Sequence, residues 1–304
     1  MHLAASIFAS DILPIFLVAG AGFVLARRFG ASVKTLSTVT FNSLSPCLVF
    51  DQLVTAQISG SRSLRVAAFC VLLTMAMGIA ARLTSVPLRL DRTTLSSFLL
   101  VAMFSNSGNY ALPVVLFAFG KEALAFATVY FVTSAILIYT AGILVAASGR
   151  GSVKTAVASL FKVPAVYAVA AAAIVLTTGA SVPAAVMRPI ALLSNAAIPV
   201  MLLVLGMQLE RATMPKHPAA VAVAAILSLV AAPLIAFGLT AALGLAGAAR
   251  QAAIVEASMP AAVITTVLAL EFDLDAGFAT SVVFFTTLLS PITLVLLIAY
   301  LQGH

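Results

Sequence analysis

One polar segment interrupts an apolar stretch that runs from residue 95 to residue 119. It covers residues 104–113, reads FSNSGNYALP, and brings two asparagines, a glycine and a proline close together. Proline lacks an N–H donor and clashes with the preceding turn, and glycine permits dihedral angles that other residues avoid. The segment predicts a broken helix whose free backbone groups and side-chain amides can hydrogen-bond a ligand.

The candidate ligand-binding residues of this segment are Asn106, Ser107, Gly108, Asn109, Tyr110 and Pro113. For Asn106 and Asn109 there is an alternative, in which the amides only satisfy the broken backbone. The directions of the Ser107 and Tyr110 side chains are not fixed by the sequence.

A second break is predicted around the sequence EASMP, residues 256–260. Ser258, Met259 and Pro260 are candidate substrate contacts there. Glu256 is a candidate site for a coupling ion or a proton, because an ionisable group deep in a bilayer is costly and is usually functional. Burial would favour its protonated form unless a cation such as sodium pairs with it. The alternative is a hydrated position near the outer interface, since Arg250 is close in sequence.

Composition places these residues in a membrane protein. The chain has 304 residues, 63% hydrophobic and 8% charged, with a mean hydropathy of +1.20. Soluble domains carry about 25% charged residues, so that class is excluded. The net charge of +7 is spread singly between apolar runs and does not form a nucleic-acid-binding patch. Cys47 and Cys70 lie in apolar segments, so we expect no metal site, disulfide or cofactor.

The fold class predicted is an all-α membrane protein with ten transmembrane helices in a single domain, 1–304. A span needs about 20 largely apolar residues. The predicted spans are 7–26, 35–55, 64–84, 95–118, 123–147, 161–178, 186–209, 219–243, 250–270 and 276–301. The longest polar connection, residues 148–154, joins spans five and six.

The distribution of basic residues predicts the orientation. The odd-numbered loops carry eleven of the sixteen lysines and arginines. Because basic loops stay in the cytoplasm, both termini are predicted to lie outside. The ninth loop, 271–275, has no basic residue.

Matching residues about 150 positions apart predict an internal repeat. The pairs are Pro14 with Pro164, Asn42-x-x-x-Pro46 with Asn195-x-x-x-Pro199, Phe126-Ala-Thr with Phe278-Ala-Thr, and Gly108 with Pro260. A repeat of five spans must enter the membrane from opposite sides, which predicts a five-plus-five inverted repeat, 1–148 and 156–304, as in many carriers. Asn42 is a further candidate substrate contact; alternatively, it ties neighbouring helices together at a proline kink.

Two broken spans related by such symmetry would meet near the middle of the bilayer. The second half of each span would direct its positive helix N-terminus at the meeting point, which suits an anion. The first halves would end there with free carbonyl groups, which suit a cation or a proton-binding group.

The run Asn106-Ser-Gly108-Asn-Tyr-Ala-Leu112-Pro113 resembles the N-x-G-x-x-G-L-P signature of the auxin efflux carrier family. Residues 258–262, SMPAA, look like the M-P-x-A segment of its ninth span. Ala111 stands where the family usually has glycine. The length and the short loops are similar to the bacterial branch, the malonate- and malate-permease-like proteins, and this implies a bacterial inner membrane.

This resemblance implies a fold similar to bile-acid and sodium–proton carriers, with spans four and nine crossing. It implies a scaffold of spans 7–55 and 161–209 that dimerises through spans two and seven. It also implies a core of spans 64–147 and 219–301 that moves like an elevator. In relatives the substrate carboxylate contacts the positions of Asn109 and Pro113, with Pro260 opposite. The substrates implied are organic acids, including malonate, malate and auxin.

The primary hypothesis is therefore a secondary active transporter for a small organic anion, coupled to protons, to sodium or to neither. The alternative is a cation–proton exchanger in which Glu256 carries the ion. An enzyme is not expected, because the sequence contains neither a GxGD nor an HExxH motif and no histidine falls within a predicted span.

Overall fold

The computed structural model of the protein describes residues 6–55, 60–146, 164–210 and 217–303. Within these ranges the regular structure is helical, apart from one isolated β-bridge between Ser105 and Ala261. The predicted loop 148–154 and the start of the predicted sixth span, 161–163, lie outside the described residues. Five of the basic residues behind the predicted orientation also lie outside them: Arg150, Lys154, Lys162, Arg211 and Lys216.

Twelve helices, labelled in chain order, make up the described part of the chain. The first six are α1 (Phe8–Phe29), α2 (33–55), α3 (Gly60–Ser85), α4 (Arg92–Met103), α5 (107–119) and α6 (121–146). The other six are α7 (Pro164–Thr178), α8 (Ala184–Leu209), α9 (Pro218–Ala242), α10 (Gly247–Ala257), α11 (Ile264–Glu271) and α12 (Ala276–Gly303). We separate α5 from α6 because Gly120 has non-helical dihedral angles, φ 77° and ψ −167°.

The chain is an all-helical, multi-pass membrane protein. In its described part, six stretches are long and apolar enough to cross a bilayer: Phe8–Phe29, Gly60–Ser85, Ser107–Ala146, Ala184–Leu209, Pro218–Ala242 and Ala276–Gly303. The helices α4 and α7 are shorter but also apolar. Leu17 and Leu192 are 66% and 72% exposed, and they belong to an apolar outer surface that fits lipid and not water.

Prolines explain most of the local irregularities within the helices. The described part of the chain has five π-helical turns: Phe8–Ile12, Thr40–Leu44, Ser107–Ala111, Ile138–Gly142 and Leu227–Ala231. All but Ile138–Gly142 end two residues before a proline, namely Pro14, Pro46, Pro113 and Pro233. A proline removes one hydrogen bond from the regular ladder, and the wider turn redirects the carbonyl groups that the ring would otherwise obstruct.

Polar caps fix the ends of two core helices side by side. Asp91 accepts the N–H groups of Thr93 and Thr94 at 2.9 and 3.2 Å, and their hydroxyl groups at 2.6 and 2.7 Å. These hydrogen bonds hold the pKa of Asp91 well below its ordinary value, and the bond from the Thr93 hydroxyl has the largest effect. Asp275 accepts the N–H of Phe278 at 2.8 Å and lies 3.2 Å from the Thr94 hydroxyl. The N-termini of α4 and α12 are therefore neighbours.

The helices pack in two groups. In the first, α8 packs along α1 and α2, and α7 packs on α2. The Ser194 hydroxyl donates a hydrogen bond of 2.7 Å to Asp51 and so joins α8 to α2. In the second group, α10 lies between α9, α3 and the 112–137 segment, and α12 packs on α4, α9 and α11. The large buried cluster at the centre includes Tyr110, Phe69, Phe98 and Phe126.

Two glycines let α1 and α8 cross at backbone contact. A methyl group added at Gly206 would lie 1.6 Å from the carbonyl oxygen of Ala19. One added at Gly22 would lie 2.1 Å from the carbonyl oxygen of Leu203. Close approach through small residues is how membrane helices gain van der Waals contact. The crossing therefore tolerates no larger residue without separation of the helices.

We expect Gly206→Ala to lower the free energy of unfolding by ~3 kcal/mol or more. Overpacking typically costs about 1–3 kcal/mol, and the cost here is at the upper end because the added methyl group clashes with backbone. Gly20→Ala in α1 is the matched control, because nothing lies within 4 Å of a methyl group added there. The measurement is the fraction of detergent-solubilised protein that stays monodisperse after heating. Equal melting temperatures for the two variants would contradict the crossing.

Candidate functional site

The first break separates α4 from α5. Helix α4 ends at Met103, and Phe104 is extended with φ −120° and ψ 113°. Asn106 is also non-helical, with φ −76° and ψ 68°, and its side chain does not cap α5. The first N–H groups of a helix have no acceptor within it, so they are available to other partners.

The second break separates α10 from α11. Helix α10 ends at Ala257, and the chain passes through Ser258 to Ala262 before α11 begins at Ile264. The Ser258 hydroxyl donates to the Ile254 carbonyl at 2.6 Å, which satisfies a carbonyl group of the last turn of α10. Pro260 then prevents the chain from continuing as a helix.

The two breaks lie against each other and satisfy each other's backbone. The Asn106 N–H donates to the Pro260 carbonyl at 2.8 Å, and the Ala262 N–H donates to the Phe104 carbonyl at 2.9 Å. These bonds flank the antiparallel bridge between Ser105 and Ala261. Two short extended pieces thus replace the missing helical bonds, which is necessary because unpaired backbone groups cost several kcal/mol in hydrocarbon.

Side chains from other helices hold the paired breaks. The Ala261 N–H donates to the Thr286 hydroxyl of α12 at 3.2 Å, and that hydroxyl donates to the Val282 carbonyl at 2.7 Å. The Ser290 hydroxyl lies 3.1 Å from the Tyr110 hydroxyl. The ring of Phe16 in α1 meets the Tyr110 ring edge-on, with centroids 6.1 Å apart.

Three polar side chains at the breaks, those of Ser105, Asn106 and Glu256, have buried atoms without a hydrogen-bond partner in the described part of the chain. The side-chain nitrogen of Asn106 is buried and unpaired, although the residue's main chain is bonded on both sides. Both carboxyl oxygens of Glu256 are also buried and unpaired, and the residue is 0% exposed. The hydrated position at the membrane surface that the sequence left open for Glu256 is therefore wrong.

A scan against family models matches the membrane transport protein family over residues 7–298. The chain belongs to the membrane transport protein family. This confirms, at the level of family, the resemblance that the asparagine–glycine motif indicated.

Two archaeal relatives of the transporter agree with this assignment. An uncharacterized transporter of Methanothermobacter thermautotrophicus is 30% identical over 265 residues, which are 86% of this chain and 86% of the relative. An uncharacterized transporter of Methanocaldococcus jannaschii is 27% identical over 212 residues, 68% of this chain and 69% of that relative. The prediction of a membrane transporter and not an enzyme is confirmed.

Most of the site residues predicted for this transporter lie at or beside the paired breaks. Buried there are Asn106, Ser107, Tyr110, Pro113, Ser258, Met259 and Pro260. Asn109 and Gly108 are half-buried. No finding tests whether any of them binds a substrate, so these assignments stay predictions.

Asn42 is not brought to the breaks. It is exposed on α2, and its side-chain amide donates to the Thr38 carbonyl at 2.9 Å. This bond stays within α2, beside the π-helical turn Thr40–Leu44 that precedes Pro46. It therefore joins Asn42 to its own helix and not to a neighbouring one, and the substrate contact of Asn42 stays a prediction.

Gly108 is required for a different reason from the one predicted. Its φ is not positive, unlike those of Gly30 and Gly120. A methyl group added at Gly108 would instead lie 2.9 Å from the Phe131 ring. The glycine makes room for an aromatic side chain of α6, and no unusual dihedral angle is needed.

Three residues that were not predicted from the sequence support the breaks from α12 and α6: Thr286, Ser290 and Phe131. Thr286, Thr287 and Ser290 form a group of hydroxyl residues within an apolar span, and each is 0% exposed. Hydroxyl groups at three nearby positions of a long apolar helix were the available signal. Which of them faces a break depends on the rotation of α12, and the sequence does not fix that rotation.

A small cavity lies at the breaks. Its volume is about 10 Å³, and the hydroxyl-bearing residues in its wall are Ser105, Tyr130 and Ser228. Ala257 and Met259 of the second break also line it. A cavity of this volume is close to the size needed for one water molecule. It is too small for an organic acid, so substrate binding here requires the surrounding helices to move apart.

We expect Thr286→Val to lower the stability of the folded transporter by about 1–3 kcal/mol, because the Ala261 N–H would be buried without an acceptor. Thr287→Val is the matched control. Both threonines are 0% exposed and both donate to a carbonyl one turn back, but Thr287 is not an acceptor for a break. Thermal unfolding in detergent measures the difference. Equal destabilisation of the two variants would show that the Thr286–Ala261 bond contributes nothing.

Proposed function

We propose that this membrane transporter is a secondary active carrier of a small organic anion, such as malonate, malate or an auxin-like acid. The substrate carboxylate binds at the paired breaks. The observation that carries the proposal is the buried, unpaired side-chain amide of Asn106 beside the N-terminus of α5. A buried amide donor without an acceptor is costly, and a carboxylate oxygen is the acceptor that would relieve this cost.

The charge of the anion is balanced without a basic side chain. Residues 93–120 and 251–275 contain no lysine or arginine. Arg250, just before this second segment, stacks over the Phe237 ring at 5.7 Å. The positive N-terminal ends of α5 and α11, together with amide donors from Asn106 and Asn109, supply the attraction. Ser107, Gly108, Tyr110, Pro113, Ser258, Met259 and Pro260 complete the proposed wall of the site.

The proposed architecture is ten spans in a five-plus-five inverted repeat. Helix α4 with α5, and α10 with α11, each make one broken span, and the other eight helices make one span each. The antiparallel direction of the pairing at Ser105 and Ala261 supports opposite directions for the two broken spans. The repeats proposed are 1–148 and 156–304.

Transport in this proposal is an elevator movement of one helix group against the other. The close packing of α1, α2, α7 and α8 supports a scaffold of spans 7–55 and 161–209. The remaining spans, 64–147 and 219–301, form the mobile core that contains both breaks. The small volume of the cavity supports the need for such a movement before and after binding.

We also propose a homodimer through spans two and seven, in a bacterial inner membrane with both termini outside. Asn42 and Asn195 are exposed polar amides on α2 and α8, and a lipid-facing surface disfavours such groups. The contact between Thr94 and Asp275 brings the third and ninth loops to the same side, as the proposed ten-span topology requires of two odd-numbered loops.

The alternative function is a cation–proton exchanger that uses Glu256. The complete burial of this carboxyl group favours it. Against it, the described part of the chain contains no group of three or more histidine, cysteine, aspartate or glutamate residues that could hold a metal ion. The organic anion therefore remains the first proposal.

We expect Asn106→Ala to weaken binding of malonate or malate by about 10–100-fold, the loss of one hydrogen bond to a charged group. Asn109→Ala should also weaken binding. Asn195→Ala is the control, because it removes an exposed amide from α8 and leaves the breaks intact. Isothermal titration calorimetry on purified protein measures the affinities, after a thermal-shift screen of malonate, malate and indole-3-acetate has selected a ligand.

Wild-type affinity in the folded Asn106→Ala and Asn109→Ala variants would contradict the site. No binding of any of these acids to the wild-type protein, together with transport of a cation against protons, would favour the exchanger.

A further inference from the structure

Glu256 lies where an ionised carboxylate has nothing to stabilise it. It occupies the last turn of α10, is 0% exposed, and neither carboxyl oxygen has a hydrogen-bond partner in the described part of the chain. The C-terminal end of a helix carries partial negative charge, which disfavours a second negative charge there. A buried ion without a partner would cost many kcal/mol, so the group must carry either a proton or a bound cation.

The side chains that face Glu256 do not supply a counter-charge. Among the described residues, Cys70 of α3 and Tyr130 of α6 are titratable groups close enough to interact with it electrostatically. The Cys70 thiol is turned to the Tyr130 carbonyl, 3.9 Å away. Thiol and phenol groups are neutral near pH 7. Glu256 therefore has neutral neighbours on both helices.

The other elements packed on α10 do not change this balance. The adjoining part of α9, Ala232–Ala242, has no titratable residue. α5 contributes Tyr110, whose hydroxyl contacts Ser290, and α12 contributes Tyr300. α10 itself carries Arg250, which stacks over Phe237.

The surroundings of Glu256 suit a proton better than a metal cation. A sodium ion on the Glu256 carboxylate would need several further oxygen ligands, whereas a proton needs none. Neither carboxyl oxygen has a hydrogen-bond partner in the described part of the chain, and that part contains no group of three or more histidine, cysteine, aspartate or glutamate residues that could hold a metal ion.

The proton position is close to the proposed anion position in the chain and in space. Glu256 precedes the second break, whose Pro260 carbonyl accepts the Asn106 N–H. The cavity of about 10 Å³ is lined by Ala257, the residue after Glu256, and by Ser105, the residue before Asn106, and it has room for about one water molecule. The hydroxyl-bearing residues Tyr130 and Ser228 also line this cavity.

We infer that Glu256 is a proton-binding site coupled to the anion site, so that one proton and one organic anion are carried together. This inference rests on the proposed anion carrier. A negatively charged Glu256 would repel an anion at the breaks, whereas the neutral acid would not. By linkage, protonation raises anion affinity and the bound anion favours protonation to the same extent.

The sign of the pH dependence follows from this coupling. Only the protonated form binds the anion well, so affinity is full at low pH and is lost as the pH rises through the titration of Glu256. In the falling range, affinity should decrease about tenfold per pH unit, the slope for one linked proton. Glu256→Gln imitates the neutral acid and should bind the anion with the full affinity at every pH.

Two measurements test the inference on the full-length protein. The first is calorimetric titration of malonate or malate at a series of pH values, in sodium and in choline chloride. The second is infrared difference spectroscopy without any anion, which detects the carbonyl stretch of a protonated carboxylic acid. Glu271→Gln is the control for both, because Glu271 is an exposed acid at the end of α11.

We expect the infrared band to be present in wild type and in Glu271→Gln, and absent in Glu256→Gln. The pH slope should disappear only in Glu256→Gln, and sodium should have no effect. A pH slope that persists in Glu256→Gln, affinity that depends on sodium, or no infrared difference between wild type and that variant would overturn the inference. Failure of the anion proposal looks different: no acid binds at any pH, whatever the infrared band shows.

Discussion

The structure depends on the requirement that backbone polar groups inside a bilayer find partners within the protein. Two helices break at the same place, and each break removes hydrogen bonds that hydrocarbon cannot replace. The short antiparallel pairing of Ser105 with Ala261 returns two of them, and the Thr286 hydroxyl accepts a third N–H. Neither break can satisfy its own backbone groups, so each depends on the other break and on α12 for hydrogen-bond partners.

This mutual dependence explains why polar chemistry concentrates at one point of an apolar protein. Ending four half-helices together brings N–H groups, carbonyl groups and helix dipoles to a region that contains no lysine or arginine. Besides the Ser105 hydroxyl, two side-chain groups there have no hydrogen-bond partner in the described part of the chain: the amide nitrogen of Asn106 and the carboxyl group of Glu256. One suits a negative ligand and the other suits a proton. A carrier that combines the two would move its cargo with little net charge inside the membrane.

The sequence predicted the class of protein, its family and both breaks, because these depend on composition and on short local motifs. Asn106, Gly108, Pro113 and Pro260 lie within these motifs, and the prolines disrupt helices wherever they stand. The exposure of individual side chains was not predictable, because it depends on how each helix is rotated and on which helices pack against it. The exposure of Asn42 follows from the face that α2 turns outward, and the burial of Glu256 from the helices that surround α10.

Gly108 illustrates the same limit, since its neighbour Phe131 is distant in sequence. The ten-span inverted repeat and its elevator movement remain proposals. They rest on the two broken spans and on two packed groups of helices. The paired breaks are the part of the account on which all these proposals depend.

Disulfide formation between Ser105→Cys and Ala261→Cys, in a background with Cys47→Ser and Cys70→Ala, tests this pairing most directly. The two residues face each other between flanking hydrogen bonds, a position where Cα atoms are about 4.5 Å apart and within the range of a disulfide. We expect a membrane-permeant oxidant to crosslink most of the folded double-cysteine protein and neither single-cysteine variant within the chain. A folded double variant that keeps two free thiols under the same oxidant would contradict the pairing and the site built on it.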